Sequence, residues 1–218
     1  PERYFTVRNT GEAFRVYSQP IKGTAPADSP GEALRASEKE RAENTMIVDL
    51  VRNDLSRVAV KGSVQVSRYL QLRSLPTVHH LVSTVEAELR PSADWLSVIQ
   101  ASFPMGSMTG APKIRAMERI DQHESARRGW YSGALGYVTP EGECDFNVVI
   151  RSLIYHELQK RWKGWAGSAL TVYADPVAEW DELQLKMRAP MAAWQESASR
   201  EFGQKQNPTT IPQTPLDA

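Results

Sequence analysis

Apolar and polar positions alternate through residues 3–21, with Phe14, Val16 and Ile21 among the apolar ones. The alternation predicts short strands and a hairpin, with Asn9-Thr10-Gly11 as the turn signal. Residues 25–36, rich in Ala, Pro, Asp, Ser and Gly, predict a loop. Ser37-Glu38-Lys39-Glu40 is a capping box that opens a helix. Its apolar face is Met46, Ile47, Leu50, Val51, Leu55 and Val58, and its other face holds carboxylates. Two strands are expected over 63–73 and 77–90, then a short helix around Trp95 to Ala101 capped by Pro91-Ser92-Ala93-Asp94. Pro112 sits in the first turn of a helix running to about Asp121. Aromatic and β-branched stretches at 130–138, 145–156 and 162–173 predict three further strands. Asp175-Pro176 starts the last main helix, which Pro190 ends or kinks. No repeat or heptad interrupts this order, so residues 1–200 form one domain segment and 201–218, Gln/Asn/Pro/Thr-rich from Phe202, a disordered tail or linker stub.

Composition narrows the class. The 218 residues carry 26 basic and 26 acidic side chains, a balance that predicts no nucleic-acid partner. The single cysteine, Cys144, can close no internal disulfide, which suits a reducing compartment. There is no secretory start and no apolar run near 18 residues, so a soluble, cytoplasmic protein with no membrane partner is expected.

Several side chains invite chemistry. Lys22 stands in Pro20-Ile21-Lys22-Gly23-Thr24, read as a tight turn after the first strands. A lysine on a turn is ordinarily a solvated charge, and it becomes a nucleophile only where burial or a nearby cation favours the neutral amine. Glu40 and Glu43 are three apart on one helix, and Glu179 and Glu182 three apart on another, so each pair projects from one face. Such oxygen-rich faces suit magnesium, although Glu40 also serves as the partner of Ser37 and exposed helical glutamates are common. Lys186, four residues after Glu182, reads plainly as a helix ion pair worth about 0.2 to 0.5 kcal/mol. Arg151, at the end of the apolar alternation of residues 146–150, has the fork to grip a carboxylate, and Tyr131 reads as a half-buried strand aromatic. The Gly106-Ser107-Met108-Thr109-Gly110 turn leads into the helix at Pro112, where free N–H groups favour an anion. His80 reads first as a structural histidine, and Glu2 as part of a frayed terminus.

Taken in order, four blocks resemble the chorismate-utilising enzymes over about residues 1–190. They are Pro20 to Thr24, Glu43-Asn44-Thr45-Met46-Ile47-Val48-Asp49-Leu50-Val51-Arg52-Asn53-Asp54, Phe103 to Glu118 with Gly110-Ala111-Pro112-Lys113 inside it, and Asp145-Phe146-Asn147-Val148-Val149-Ile150-Arg151. The resemblance implies an α+β fold, one half of a mainly antiparallel β-sheet sandwich with outer helices. Its catalytic chains are roughly twice this length, which implies an absent amino-terminal half, and Pro1-Glu2-Arg3-Tyr4-Phe5 begins inside one of its blocks. It implies Mg²⁺ held directly by Glu43 and Glu182, with Glu40 and Glu179 beside them as weaker or water-mediated contacts. Ser107 and Lys186 fall on its contacts to the ring carboxylate, Arg151 and Tyr131 on those to the enolpyruvyl carboxylate. His80 matches the histidine near the departing hydroxyl, and Glu2 the general acid that protonates it. Lys22 fits the branch that aminates chorismate to 4-amino-4-deoxychorismate for para-aminobenzoate, with ammonia from a glutamine amidotransferase subunit; other branches usually carry alanine there. Two departures bear on substrate affinity: the glycine-rich carboxylate clamp reads Gly167-Ser168-Ala169 and is followed by Tyr173-Ala174, and Ala25-Pro26-Ala27-Asp28 replaces a basic stretch. An anthranilate synthase-like enzyme, and a non-catalytic fragment that associates with a missing half, are the alternatives.

Overall fold

The computed structural model describes residues 2–76, 78–171 and 174–201. Two compact units divide the chain, Pro1–Ile150 and Arg151–Ala218.

The first unit is built on a seven-stranded sheet in which every pairing is antiparallel. Strands β1 (Glu2–Asn9) and β2 (Phe14–Ser18) form the expected hairpin, where Asn9 Oδ1 accepts from the Gly11 N–H at 2.9 Å and Gly11 takes a φ of +89°. Proline at position 20 separates β2 from β3 (Ile21–Pro26). After helices α1 (Gly31–Ala36) and α2 (Glu38–Ser56) come β4 (Gln65–Ser74) and β5 (Val78–Glu88). Being eleven residues long, β5 holds β3 and β2 end to end along one edge, through Val78–Val82 and Val85–Glu88, and β4 along the other. Helix α3 (Trp95–Ser102), a 3₁₀ turn (Gly106–Met108) and helix α4 (Lys113–His123) precede β6 (Ala134–Val138) and β7 (Cys144–Val148). Strand β7 pairs with β1, and β6 with β7.

The core lies where one sheet face meets α2 and α3. Phe5, Val7, Val16, Val85, Ala87, Cys144 and Val148 come from the sheet, Val48 and Leu55 from α2, Val98 from α3. Phe146 stacks on Phe5 and Trp95, with centroids 5.3 and 6.0 Å away. Helix α3 begins with a reciprocal capping box of Asp94 and Ser97, and Ser37 accepts from the Glu40 N–H at the start of α2. Among the described residues no helix is long and apolar enough to cross a membrane.

The second unit contains the two-stranded antiparallel sheet of β8 (Leu153–His156) and β9 (Arg161–Gly164), and helix α5 (Pro176–Glu201).

The α+β, mainly antiparallel class agrees with expectation, while several boundaries differ for local reasons. The expected loop at 25–36 contains the end of β3 and all of α1: Pro30 pre-sets the backbone, Glu32-Ala33-Leu34-Arg35-Ala36 are helix formers, and Leu34 is buried beside Leu70 and Leu81. The stretch 145–156 is two strands, because Arg151 takes a left-handed φ of +52° between them. Of the strand expected at 162–173, the part ending at Gly164 pairs, since β8 offers four partners, and residues 165–171 are irregular. Likewise the strand expected from 130 begins at Ala134. Pro190 lies inside α5 rather than at its end; it removes one hydrogen bond, and Arg188, Ala189, Met191, Ala192 and Ala193 carry the helix past it. The expected tail after Phe202 lies outside the described residues.

Cys144 is completely buried, and desolvation pushes its thiol up to about 11. The folded protein is therefore expected to resist a thiol reagent such as Ellman's at pH 8, and to react stoichiometrically once denatured. Rapid labelling of the native protein would place Cys144 at an accessible surface and contradict the core described above.

Candidate active site

The β3–β5 ladder shifts register between Ile21 and Thr24, so Lys22 and Gly23 together stand opposite Leu81. A bulge of this kind bends a strand and re-aims its side chains. Gly23 adopts a φ of +89°, and a Cβ there would come within 3.1 Å of Glu40 Oε2. The backbone conformation favours glycine, and a Cβ would also press on the Glu40 carboxylate and make it shift. The segment around Lys22 is thus a bulged strand, not the tight turn suggested by its sequence. Opposite Thr24 lies His80, whose Nδ1 is 3.0 Å from Thr24 Oγ1. Lys22, His80, Glu40 and Glu43 are all half-buried. Strand pairing and the first turn of α2 therefore bring the bulge, the histidine and Glu40 to one end of the unit, with Glu43 one turn further along the helix.

Glu2 opens β1 opposite Val148, so it is a strand residue rather than a frayed end. With Tyr4, Pro20, Asp54, Ser102 and Ser107 it lines a cavity of about 30 Å³. That space suits a water, since ligand pockets are about 300 to 1,000 Å³. Ser107 sits in the 3₁₀ turn, which rests directly on α2: a Cβ on Gly106 would meet Leu50 Cδ2 at 2.3 Å. One helical turn beyond Leu50, Asp54 takes the ammonium of Lys113 at 2.6 Å, and Lys113 also donates to the Ser102 carbonyl at 2.8 Å. Burial pushes the Asp54 carboxyl above its ordinary range, against the pull of Lys113. Nearby, the Tyr4 and Ser102 hydroxyls share a 2.5 Å hydrogen bond, and burial pushes the Tyr4 phenol up to about 12. Tyr131 is in a turn, not a strand, and the Arg128 guanidinium lies 5.7 Å over its ring. Arg128 also donates to the Met108 carbonyl at 2.8 Å, tying the Tyr131 turn to the Ser107 turn.

In the second unit, α5 and the irregular segment before it gather four of the expected residues. Lys186 Nζ is 2.7 Å from Glu182 Oε1 and donates to the Gly167 carbonyl at 2.9 Å. Ser168 Oγ donates to Glu179 and, at 3.4 Å, to Glu182 Oε2. Glu179 is buried, with 7% of its surface exposed. Arg151 is exposed and follows the end of β7 by three residues in the left-handed conformation, so it does not end a strand as expected. Tyr173, one of the two departures after the clamp, lies outside the described residues. Among the described residues no three His, Cys, Asp or Glu side chains converge as a metal site.

The pattern of α2 also hides polar residues passed over in the sequence. Asn44 and Asp54 fall on the helical stripe of Ile47, Val48, Val51 and Leu55, and both are buried. An amide and a carboxylate inside an apolar stripe were the available signal, because polar groups at core positions must find partners.

Residues 1–192 match the family of chorismate binding enzymes. The chain belongs to that family. Members similar to it include an aminodeoxychorismate synthase from Streptomyces griseus, 45% identical over 193 residues, which cover 85% of this chain and 26% of that protein. Anthranilate synthase component 1 of Aquifex aeolicus is 39% identical over 189 residues, covering 84% of this chain and 38% of its own. Among solved structures, anthranilate synthase component I from Streptococcus pneumoniae superposes with a TM-score of 0.76 at 34% identity, over 87% of this chain and 42% of that one. The chain thus spans between about a quarter and two fifths of the length of these three relatives.

The geometry of the bulge predicts the response to a single added methyl group. Gly23→Ala is expected to destabilise the protein by about 1–2 kcal/mol, because the left-handed backbone and the Glu40 carboxylate both oppose a Cβ. Chemical denaturation checks this, and a variant as stable as the parent would show that the bulge relaxes freely.

Proposed function

We propose that the full-length protein carrying this chain is an aminodeoxychorismate synthase component I-like transferase, converting chorismate to 4-amino-4-deoxychorismate in the cytoplasm on the way to para-aminobenzoate and folate. One observation supports this above the rest: Lys22, the residue characteristic of that branch, stands in a β-bulge beside Glu40 and the Thr24–His80 contact. The Streptomyces griseus relative carries the name of the same enzyme. Ammonia comes from a glutamine amidotransferase partner, and an amino-terminal half supplies the rest of the catalytic domain.

The donors offered for a metal are oxygen atoms of Glu40 and Glu43 on one helix face and of Glu179 and Glu182 on another. This suits Mg²⁺, which takes one or two carboxylates and completes its shell with water and substrate oxygens. Glu43 and Glu182 are its direct ligands in this reading, Glu40 and Glu179 its water-mediated ones. Mg²⁺ held there would supply positive charge to offset the ring carboxylate of chorismate. Ser107, Lys186 and the backbone at Gly167 hold that carboxylate. Arg151 takes the enolpyruvyl carboxylate bidentately, with Tyr131 beside it. The neutral amine of Lys22 forms a bond to C2, the two conjugated ring double bonds shift in turn, and the C4–O bond breaks as Glu2 delivers a proton and water departs, with His80 near the leaving oxygen. Ammonia then bonds to C4, both double bonds shift back, the C2–N bond breaks to restore neutral Lys22, and the ammonium formed at C4 gives up the proton that restores Glu2. Two displacements replace one harder one.

The match to anthranilate synthase component 1 favours a second reading, in which ammonia enters at C2. Lys22 separates the two. In the full-length protein, quenching with chorismate in the absence of ammonia is expected to give an adduct that maps by mass to Lys22, and Lys22→Ala to slow 4-amino-4-deoxychorismate formation or divert substitution to C2. Wild-type anthranilate formation, or an unchanged product and rate in Lys22→Ala, would remove the assignment.

A further inference from the structure

Asn44 follows Glu43 on α2 and has no exposed surface. Its Nδ2 donates to the Leu81 carbonyl at 3.3 Å, and its Oδ1 accepts from Ser83 Oγ at 2.6 Å. Ser83 is equally buried, and its Oγ accepts in turn from the Leu70 N–H at 3.0 Å, where β4 bends into the left-handed region at a φ of +48°. Both strand residues that Asn44 engages lie on β5 at or just beside the Lys22 bulge. Leu81 is the residue opposite Lys22 and Gly23, and the Ser83 N–H donates to the Pro20 carbonyl at 3.1 Å, two residues upstream of Lys22. One buried amide therefore grips β5 opposite the bulge and just beyond the pair that begins it. The same helix carries Glu40 against Gly23 one turn earlier.

An apolar residue at position 44 would fill this space without desolvating an amide and a hydroxyl. Apolar contacts, however, are non-directional, and a helix held by them alone can slide along its groove. Two hydrogen bonds from one amide fix both the height and the rotation of α2 on β5, because a shift of one residue, about 1.5 Å, breaks both. We infer that Asn44, through Leu81 and Ser83, is the positioning residue that sets the Lys22 bulge against the Glu40 and Glu43 face of α2. This rests on the reading of Lys22 as the nucleophile.

The test uses the full-length protein and the Asn44→Ala, Ser83→Ala and double variants, each assayed below its own melting temperature. The rate at which the Lys22 adduct forms from saturating chorismate without ammonia is expected to fall roughly tenfold to a hundredfold in each single variant, as displacements near 1 Å do. Chorismate affinity by calorimetry is expected to stay within about twofold, because the Asp54–Lys113 pair and the apolar stripe keep α2, and Glu43 with it, in place while the bulge alone relaxes. The double variant should be no slower than the slower single one, since both cut one bridge. A folded Asn44→Ala protein with wild-type adduct rate, or one whose affinity falls in step with its rate, overturns the inference. If Asn44→Ala does not fold, Ser83→Ala decides alone, because it leaves the bond from Asn44 to Leu81 in place. Absence of the adduct in the wild type would sink the Lys22 reading and this inference with it, whereas a normal wild-type adduct unaffected by the variants sinks only the inference.

Discussion

Helix α2 can sit on the sheet at only one height, because the stripe it buries is apolar in the middle and polar at both ends. Ile47, Val48 and Leu55 supply the hydrophobic attachment. Asn44 near one end and Asp54 near the other must each meet a partner, since a buried polar group left unpaired costs about 1–3 kcal/mol. The partners belong to different elements: Leu81 and Ser83 on β5 for Asn44, Lys113 at the start of α4 for Asp54. Breaking such a buried ion pair from one side costs about 3–5 kcal/mol. The helix is thereby pegged at both ends, and the Lys22 bulge and the Ser107 turn are fixed relative to it.

Close backbone approach completes what the polar pegs begin. Gly23 and Gly106 are two places where a strand or turn comes close against side chains of α2, tightly at Gly23 and too near for a Cβ without movement at Gly106. At Gly23 the neighbour is the Glu40 carboxylate, at Gly106 it is the side chain of Leu50. The two glycines act at opposite ends of the helix, so the same element positions a bulged lysine at its start and a serine turn toward its finish. Arg128 extends the arrangement by joining the Ser107 turn to the turn that presents Tyr131.

The second unit assembles its polar cluster by a simpler route. Glu179, Glu182 and Lys186 share one face of α5 by helical spacing, and Ser168 and the Gly167 carbonyl fold back on that face. The ion pair of Glu182 and Lys186 is the plain helical one that spacing predicts, worth a few tenths of a kcal/mol.

Most strands and helices, though not β3, α1 or the break between β7 and β8, together with the Asn9-Thr10-Gly11 hairpin, the Ser37 and Asp94 caps and the amphipathic character of α2, were legible in the sequence, because each is set by neighbours within a few residues. So was family membership, through the long blocks around Glu43, Ser107 and Asp145. The boundaries that moved lie where a distant partner decides: α1 forms because Leu34 finds Leu70 and Leu81, and β9 stops where β8 runs out of residues. The bulge at Lys22 could not be read locally at all, since Pro20-Ile21-Lys22-Gly23-Thr24 is compatible with a turn until β5 is laid beside it and the register slips at Leu81. Sequence alone determined which residue types were available for chemistry and which faces of their helices they share. Only the tertiary structure decided that Asn44 and Asp54 are anchors rather than surface groups, because the cost of burying an amide or a carboxylate depends on a partner that may lie dozens of residues away.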